Sequence, residues 1–193
     1  MKDTEFIKNI KKIEAKNKKK TNTSWIIIIT TVSFIISIMF SYVCELFMPS
    51  VNIIIGLIIM FSFILLGIIF DILGVSVTSA EVSPYHSMAA KKLRGAILAV
   101  KFKKNTSKIS TIFCDVIGDI SGIVSGSAGV YLSIKISSLL NLNSLIVSLL
   151  VTGVISSITI GGKAIGKSFA INNGTMILYR FSKFLSIFYN PNK

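Results

Sequence analysis

The chain has 193 residues, 52% of them hydrophobic and 15% charged, with mean hydropathy +0.75 and a net charge of +13 from 21 basic and 8 acidic residues. So little charge in a chain this long excludes an ordinary cytosolic enzyme, and Cys44 and Cys114, both inside apolar runs, exclude a disulfide-stapled secreted domain. The basic residues fall between long apolar runs instead of lining one soluble face, which argues against a nucleic-acid partner and for a small polytopic membrane protein.

Residues 1–24 form a basic arm with eight lysines in the first 20 residues. Phe6, Ile10 and Ile13 recur at helical spacing among those lysines, a pattern suited to the surface of an anionic leaflet. A solvated, disordered tail is the alternative. The apolar run that follows is longer than the core of a signal peptide and ends at no small-residue cleavage site, so it reads as a retained helix.

Four spans are expected, at about 25–47, 53–73, 109–134 and 144–162, each near or above the roughly 20 residues that cross the hydrocarbon of a bilayer. Turns follow the first at Pro49 and Asn52 and precede the fourth at Asn141-Leu142-Asn143. Ser83 is a candidate N-cap for an interfacial helix over about 83–104, with Pro84 in its first turn and Met88, Leu93, Ile97 and Val100 on one stripe. A second interfacial helix is expected over about 164–189, mixing Phe169, Phe181 and Phe184 with Lys167, Arg180 and Lys183. A fifth span is its alternative, and Asn172-Asn173-Gly174 would interrupt it. Residues 190–193 are a tail.

Lysine and arginine counts orient the spans. Eight precede the first, seven lie between the second and third, five follow the fourth, and Lys135 alone sits on the other side. Both termini and the long middle loop are therefore placed in the cytoplasm. A composition rich in isoleucine, lysine and asparagine points to an AT-rich bacterial genome, and so to a bacterial inner or plasma membrane. The fold class expected is an all-α integral membrane protein of four transmembrane helices with amphipathic interfacial helices on the cytoplasmic side.

Four of the eight acids, Asp71, Glu81, Asp115 and Asp119, belong to the central part of the bundle or its edge. A charge inside hydrocarbon costs at least about 2.5–3.5 kcal/mol, so such groups face protein, water or a cation. Asp115 and Asp119 are one helical turn apart and share a face. Gly118, Gly122 and Gly126 continue nearly the same face with the four-residue spacing that lets helices pack closely, here the seam of a homodimer. The other reading of that stripe is that the glycines only pack helices and the aspartates only pair with lysines. Asp71 and Glu81 bracket a hydroxyl-rich stretch with Ser76, Thr78 and Ser79, oxygen ligands of the kind hard divalent ions take; the alternative is a polar helix end capping itself. His86 stands alone near the loop helix and reads as a headgroup contact. No nucleophile elbow, phosphate-binding loop or dinucleotide fingerprint occurs, so no enzyme is expected. An intramembrane aspartyl hydrolase would put its two acids on different helices.

Several features now fall in order. A span ends in a small and hydroxyl-rich stretch with an acid. A basic helix follows at Ala89-Ala90-Lys91-Lys92-Leu93-Arg94-Gly95-Ala96. The next span opens Ser110-Thr111-Ile112-Phe113-Cys114-Asp115, and the last leads into Gly162-Lys163-Ala164-Ile165-Gly166-Lys167. This layout, over about residues 60–189, resembles the transmembrane domain of the CorB/CNNM magnesium transporters, with an added first span and without regulatory domains. The resemblance implies three spans with a belt of juxtamembrane helices, and divalent cation transport with magnesium as substrate and no resident cofactor. Ser110, Asp115 and Asp119 match the spacing of a hydroxyl and two asparagines that hold the ion in that family, and the serine ending its first span would fall among Ser76, Thr78 and Ser79. Where the family carries a ligand glutamate this chain has Lys163, and its proline is Gly166. The expected cation site is thus Asp115 and Asp119 as metal ligands with Ser110, Ser76, Ser79, Asp71 and Glu81 around them. Lys163 and Lys167 are counter-charges. In the alternative, Lys163 neutralises the aspartates and the protein is a non-transporting scaffold or regulatory subunit.

Overall fold

The computed structural model describes residues 23–188, and the basic arm and the tail expected from sequence lie outside them. Two compact units are distinguished, residues 1–34 and 35–193; in the first, described residues 23–34 are helical throughout. The described residues are helical with short turns and contain no strand. They form α1 (Thr23–Phe47), a 3-10 turn (Met48–Ser50), α2 (Ile53–Ser79), α3 (Ser83–Ala90), α4 (Ala96–Lys104), α5 (Thr106–Leu140) and α6 (Ser144–Phe188). Helices α1, α2, α5 and α6 are long and apolar enough to cross a membrane, in agreement with the four spans expected. Large apolar side chains point outward from them, among them Ile54, Leu65, Leu145, Leu149, Leu150 and Ile160. A surface this apolar is at home in lipid and aggregates in water.

The core is built on α2. Gly56, Met60, Ile64, Gly67, Asp71 and Gly74 are buried at helical spacing along one face. The glycines there permit close approach. A Cβ on Gly67 would lie 3.1 Å from the Gly118 carbonyl oxygen, and one on Gly74 would lie 2.3 Å from Cys114 Sγ. The part of α5 facing these two glycines, Thr111–Gly118, is wound as a wider π-helix between α-helical Thr106–Ser110 and Asp119–Leu140.

Local sequence explains the turns. Asn141 ends α5 at φ 53°, a left-handed conformation asparagine tolerates, and the Asn143 side-chain oxygen accepts from the Leu145 amide at 3.0 Å to cap α6. At the same end of the bundle the Lys135 ammonium donates to the carbonyls of Met48 at 3.3 Å and Pro49 at 2.7 Å, and to that of Val51. Sequence alone placed Lys135 by itself on that side; in the structure it pins the α1–α2 turn. Lys135→Met is expected to lower the unfolding free energy in micelles by about 1–3 kcal/mol, because its charge-assisted bonds to the carbonyls of the turn are lost. Denaturant titration checks this, and an unchanged midpoint would show the turn to be held by something else.

Two expected elements differ from the structure. The interfacial helix of 83–104 is two helices, because Lys92 at φ 54° and Gly95 at φ 85° turn the chain between them. Its first helix begins after Val82 with no side-chain cap, so Ser83 is the first helical residue and not the N-cap. The segment 164–189 is no separate helix either: α6 runs unbroken for 45 residues. Asn172-Asn173-Gly174 does not interrupt it. The Asn173 amide donates back to the Phe169 carbonyl at 3.2 Å, and Gly174 sits against α2, where a Cβ would meet Ser79 Oγ at 2.3 Å.

The far half of α6 thus closes a second small core with α3, α4 and the end of α2. Val77, Ala80, Tyr85, Ala99 and Leu178 form its centre, with Met88, Val100 and Phe113 against it. The Lys103 ammonium caps the last carbonyls of α2, donating to Val77 at 3.0 Å and Thr78 at 2.8 Å, and burial lowers its pKa from the usual lysine value.

Candidate functional site

The charged centre of the bundle follows from a short repeat on α6, Gly162-Lys163 and Gly166-Lys167, one turn apart. A Cβ on Gly162 would lie 2.3 Å from Ile68 Cδ1, and one on Gly166 would lie 2.7 Å from Ile72 Cγ1, so these glycines let α6 close on α2. The lysine after each glycine then reaches a carboxylate on a neighbouring helix. Lys163 Nζ donates to Asp119 Oδ1 of α5 at 3.0 Å. Lys167 Nζ lies 3.6 Å from Asp71 Oδ2 of α2.

The two pairs differ in burial. Asp71 is on the packed face of α2 with its side chain 5% exposed, while Lys167 is 52% exposed. The Asp71 Oδ2 atom accepts no hydrogen bond among the described residues, and the Lys167 ammonium is its ion-pair partner. In the other pair the lysine is the buried partner, at 20% exposed against 64% for Asp119. A carboxylate in that position keeps access to water or headgroups, and its pair is correspondingly weaker than a buried one.

All these groups lie at one level. Asp71 is 18 residues along α2 from Ile53, Lys163 is 19 along α6 from Ser144, and Asp119 is 21 along α5 from Leu140. At 1.5 Å per residue each is about 27–32 Å from the turns at the end of the bundle that Lys135 pins.

The expected ligand set is not gathered around Asp115 and Asp119. Asp115 is exposed on the π-helical stretch and takes part in no hydrogen bond or ion pair among the described residues. Ser110 is partly buried, its hydroxyl 4.0 Å from Cys114 Sγ. Ser79 donates to the Ala170 carbonyl of α6 at 3.0 Å, and Ser76 is fully buried with its hydroxyl unpartnered. Glu81 is exposed, and its backbone amide bonds the Thr175 hydroxyl at 3.2 Å. Among the described residues no three His, Cys, Asp or Glu side chains come together as a metal site.

The glycine stripe divides as well. Gly118 faces Gly67 and Lys163, whereas a Cβ on Gly122 or Gly126 would meet nothing within 4 Å. Gly67, Gly74, Gly162 and Gly166 are the close-packing glycines that sequence reading passed over. The signal was present, since each pair keeps one helix face, at seven- and four-residue spacing. Cys114 was read only as a small buried hydrophobe; its thiol also lies 3.7 Å from the Asp71 carbonyl oxygen.

The arrangement can hold two aspartates with two lysines and lock α2, α5 and α6 at one level. No protein-family profile, characterised protein or solved structure matches the chain.

Proposed function

We propose that the chain is a multi-pass membrane protein acting as a non-transporting scaffold or regulatory subunit. The observation that carries this reading is the 3.0 Å contact of Lys163 with Asp119. A divalent ion taken up at Asp119 would have to displace an ammonium that already neutralises it, and would meet Lys163 itself as a like charge. The resemblance to CorB/CNNM transporters points the same way, since Lys163 stands where that family has a ligand glutamate. With the pinned turn on the outer side, the charged level lies at the inner edge of about 30 Å of hydrocarbon. Asp115 then sits among headgroups, where a carboxylate needs no partner. The basic segments put both termini in the cytoplasm of a bacterial cell, next to anionic headgroups. The open face of α5 at Gly122 and Gly126 is the surface for a second copy.

The test is magnesium and manganese flux in proteoliposomes. Uptake should equal that of empty vesicles, and native mass spectrometry should find a dimer that Gly122→Leu/Gly126→Leu converts to monomer. Uptake abolished by Asp119→Asn would overturn the scaffold reading, and a dimer indifferent to both leucines would overturn the interface.

Magnesium-like transport through Asp115, Asp119 and Ser110, with Ser76 and Ser79, keeps one supporting observation: Asp115 is a carboxylate without a partner among the described residues, on a π-helical stretch. On that reading Lys163 is a gate. Lys163→Met would then bring calorimetric magnesium binding to a protein that otherwise shows none.

A further inference from the structure

A basic cavity lies at the far end of α6, away from the charged centre. Arg94, Arg180, Lys183, Phe184 and Ile187 line a space of about 280 Å³. Its construction begins at Gly95. The φ of 85° and the missing side chain bring this residue against α6, where a Cβ would lie 2.6 Å from Lys183 Cα. That contact sets Arg94 beside α6, and its guanidinium donates to the Ser186 carbonyl at 3.5 Å. Arg180 and Lys183 are three apart on α6 and so neighbours on its surface.

Arg94, Arg180 and Lys183 therefore border a space whose wall is mostly apolar, and among the described residues no carboxylate lines it. Arg180 and Lys183 take part in no hydrogen bond or ion pair among the described residues. Mutual repulsion of this kind is unfavourable until an anion enters. Two guanidinium groups and an ammonium match the several oxygens of a phosphate, which planar arginine binds through paired hydrogen bonds. Phe184 and Ile187 supply an apolar wall beside them, and both are more than half exposed.

We propose that this cavity binds a phosphate monoester carried on an apolar or aromatic body. A phosphate could be presented by a lipid headgroup or by a molecule in water. Arg180 lies 15 residues past Ile165, the end of the apolar run of α6. That is about 22 Å along the helix, against the roughly 5–8 Å that a headgroup layer adds to one side of the hydrocarbon. The source is accordingly a water-borne ligand. This last step depends on the chain spanning a membrane as proposed above; the cation cluster does not, and neither depends on whether Lys163 blocks a cation site.

Calorimetric titration of the full chain in neutral maltoside micelles tests it, with phenyl phosphate and inorganic phosphate as probes. A parallel arm uses phosphatidylcholine nanodiscs containing phosphatidic acid, a lipid phosphate monoester. Phenyl phosphate is expected to bind saturably and at least about fivefold tighter than inorganic phosphate, because only it uses Phe184 and Ile187. Arg94→Gln/Arg180→Gln should weaken it at least about tenfold, while the distant Lys104→Gln keeps it within about threefold. Circular dichroism confirms that each variant stays helical. Equal binding by the double variant overturns the site. Equal affinity for inorganic phosphate overturns the apolar half of the ligand, and binding of phosphatidic acid but not phenyl phosphate overturns its water-borne source.

Discussion

Tyr85→Ala is expected to lower the unfolding free energy by about 3–5 kcal/mol, the range for removing a fully buried aromatic ring. The Tyr85 ring is 0% exposed among Val77, Ala80, Ala99 and Leu178, and it belongs to the short helix α3, which has few other anchors. Its hydroxyl donates to the Thr175 carbonyl at 2.8 Å and so ties α3 to α6. Tyr85→Phe keeps the ring and loses only that bond, for about 0.5–1.5 kcal/mol. The same residue gives a pH signature. Burial pushes the phenol up to about 12 from an ordinary 10.0. A folded value above the unfolded one means the stabilising contribution is complete below pH 10 and is lost as pH climbs through 12, by about 2–3 kcal/mol in all. Tyr85→Phe should flatten that alkaline decline relative to wild type. Denaturant unfolding in micelles across pH 8–12 reads both effects, and a Tyr85→Ala midpoint equal to wild type would show that α3 does not contribute to the fold.

Gly95→Val is expected to cost about 2–5 kcal/mol, combining a left-handed backbone that a β-branched residue resists with overpacking against a neighbour. The neighbour cannot yield, because the added carbon would lie 2.6 Å from Lys183 Cα and 2.7 Å from its amide nitrogen, both backbone atoms within a helix. The strain should be relieved by peeling α3 and α4 from α6. Helix content in the far ultraviolet would change little, while trypsin would cut at Lys91, Lys92 and Arg94 far faster than in wild type. Gly153→Val is the control. With nothing within 4 Å of that position, it should cost less than about 1 kcal/mol in the monomer. Equal protease resistance of Gly95→Val and wild type would contradict the close contact.

Hydropathy made the four long helices readable in advance, and turn chemistry at Asn141 and Asn143 gave one of their boundaries. Partners were harder to read. Periodicity shows that Gly118, Gly122 and Gly126 share a helix face, but not that α2 covers the first and leaves the others open. Helix α2 is apolar nearly all round, so no contrast between faces marked Asp71 as lying on the packed one. Lys163 and Lys167 were legible as counter-charges, but which aspartate each meets was not, because the reach of each lysine to another helix depends on how α6 crosses α2. Asn172-Asn173-Gly174 looked like a break for a related reason. The same residues that stop a helix in water can continue one when a neighbouring helix needs a missing side chain at Gly174.

Helix α6 runs unbroken for 45 residues, and its close contacts with α2 fall around the middle, at Gly162, Gly166 and Gly174. It is therefore mechanically a see-saw. A tilt of about 5° around that midpoint carries Ser144 and Phe188 about 3 Å in opposite directions, given a rod of about 68 Å. Pressure on the lipid end would be felt at the far end, where Gly95, packed against the Lys183 backbone, would carry α3 and α4 along with the rod.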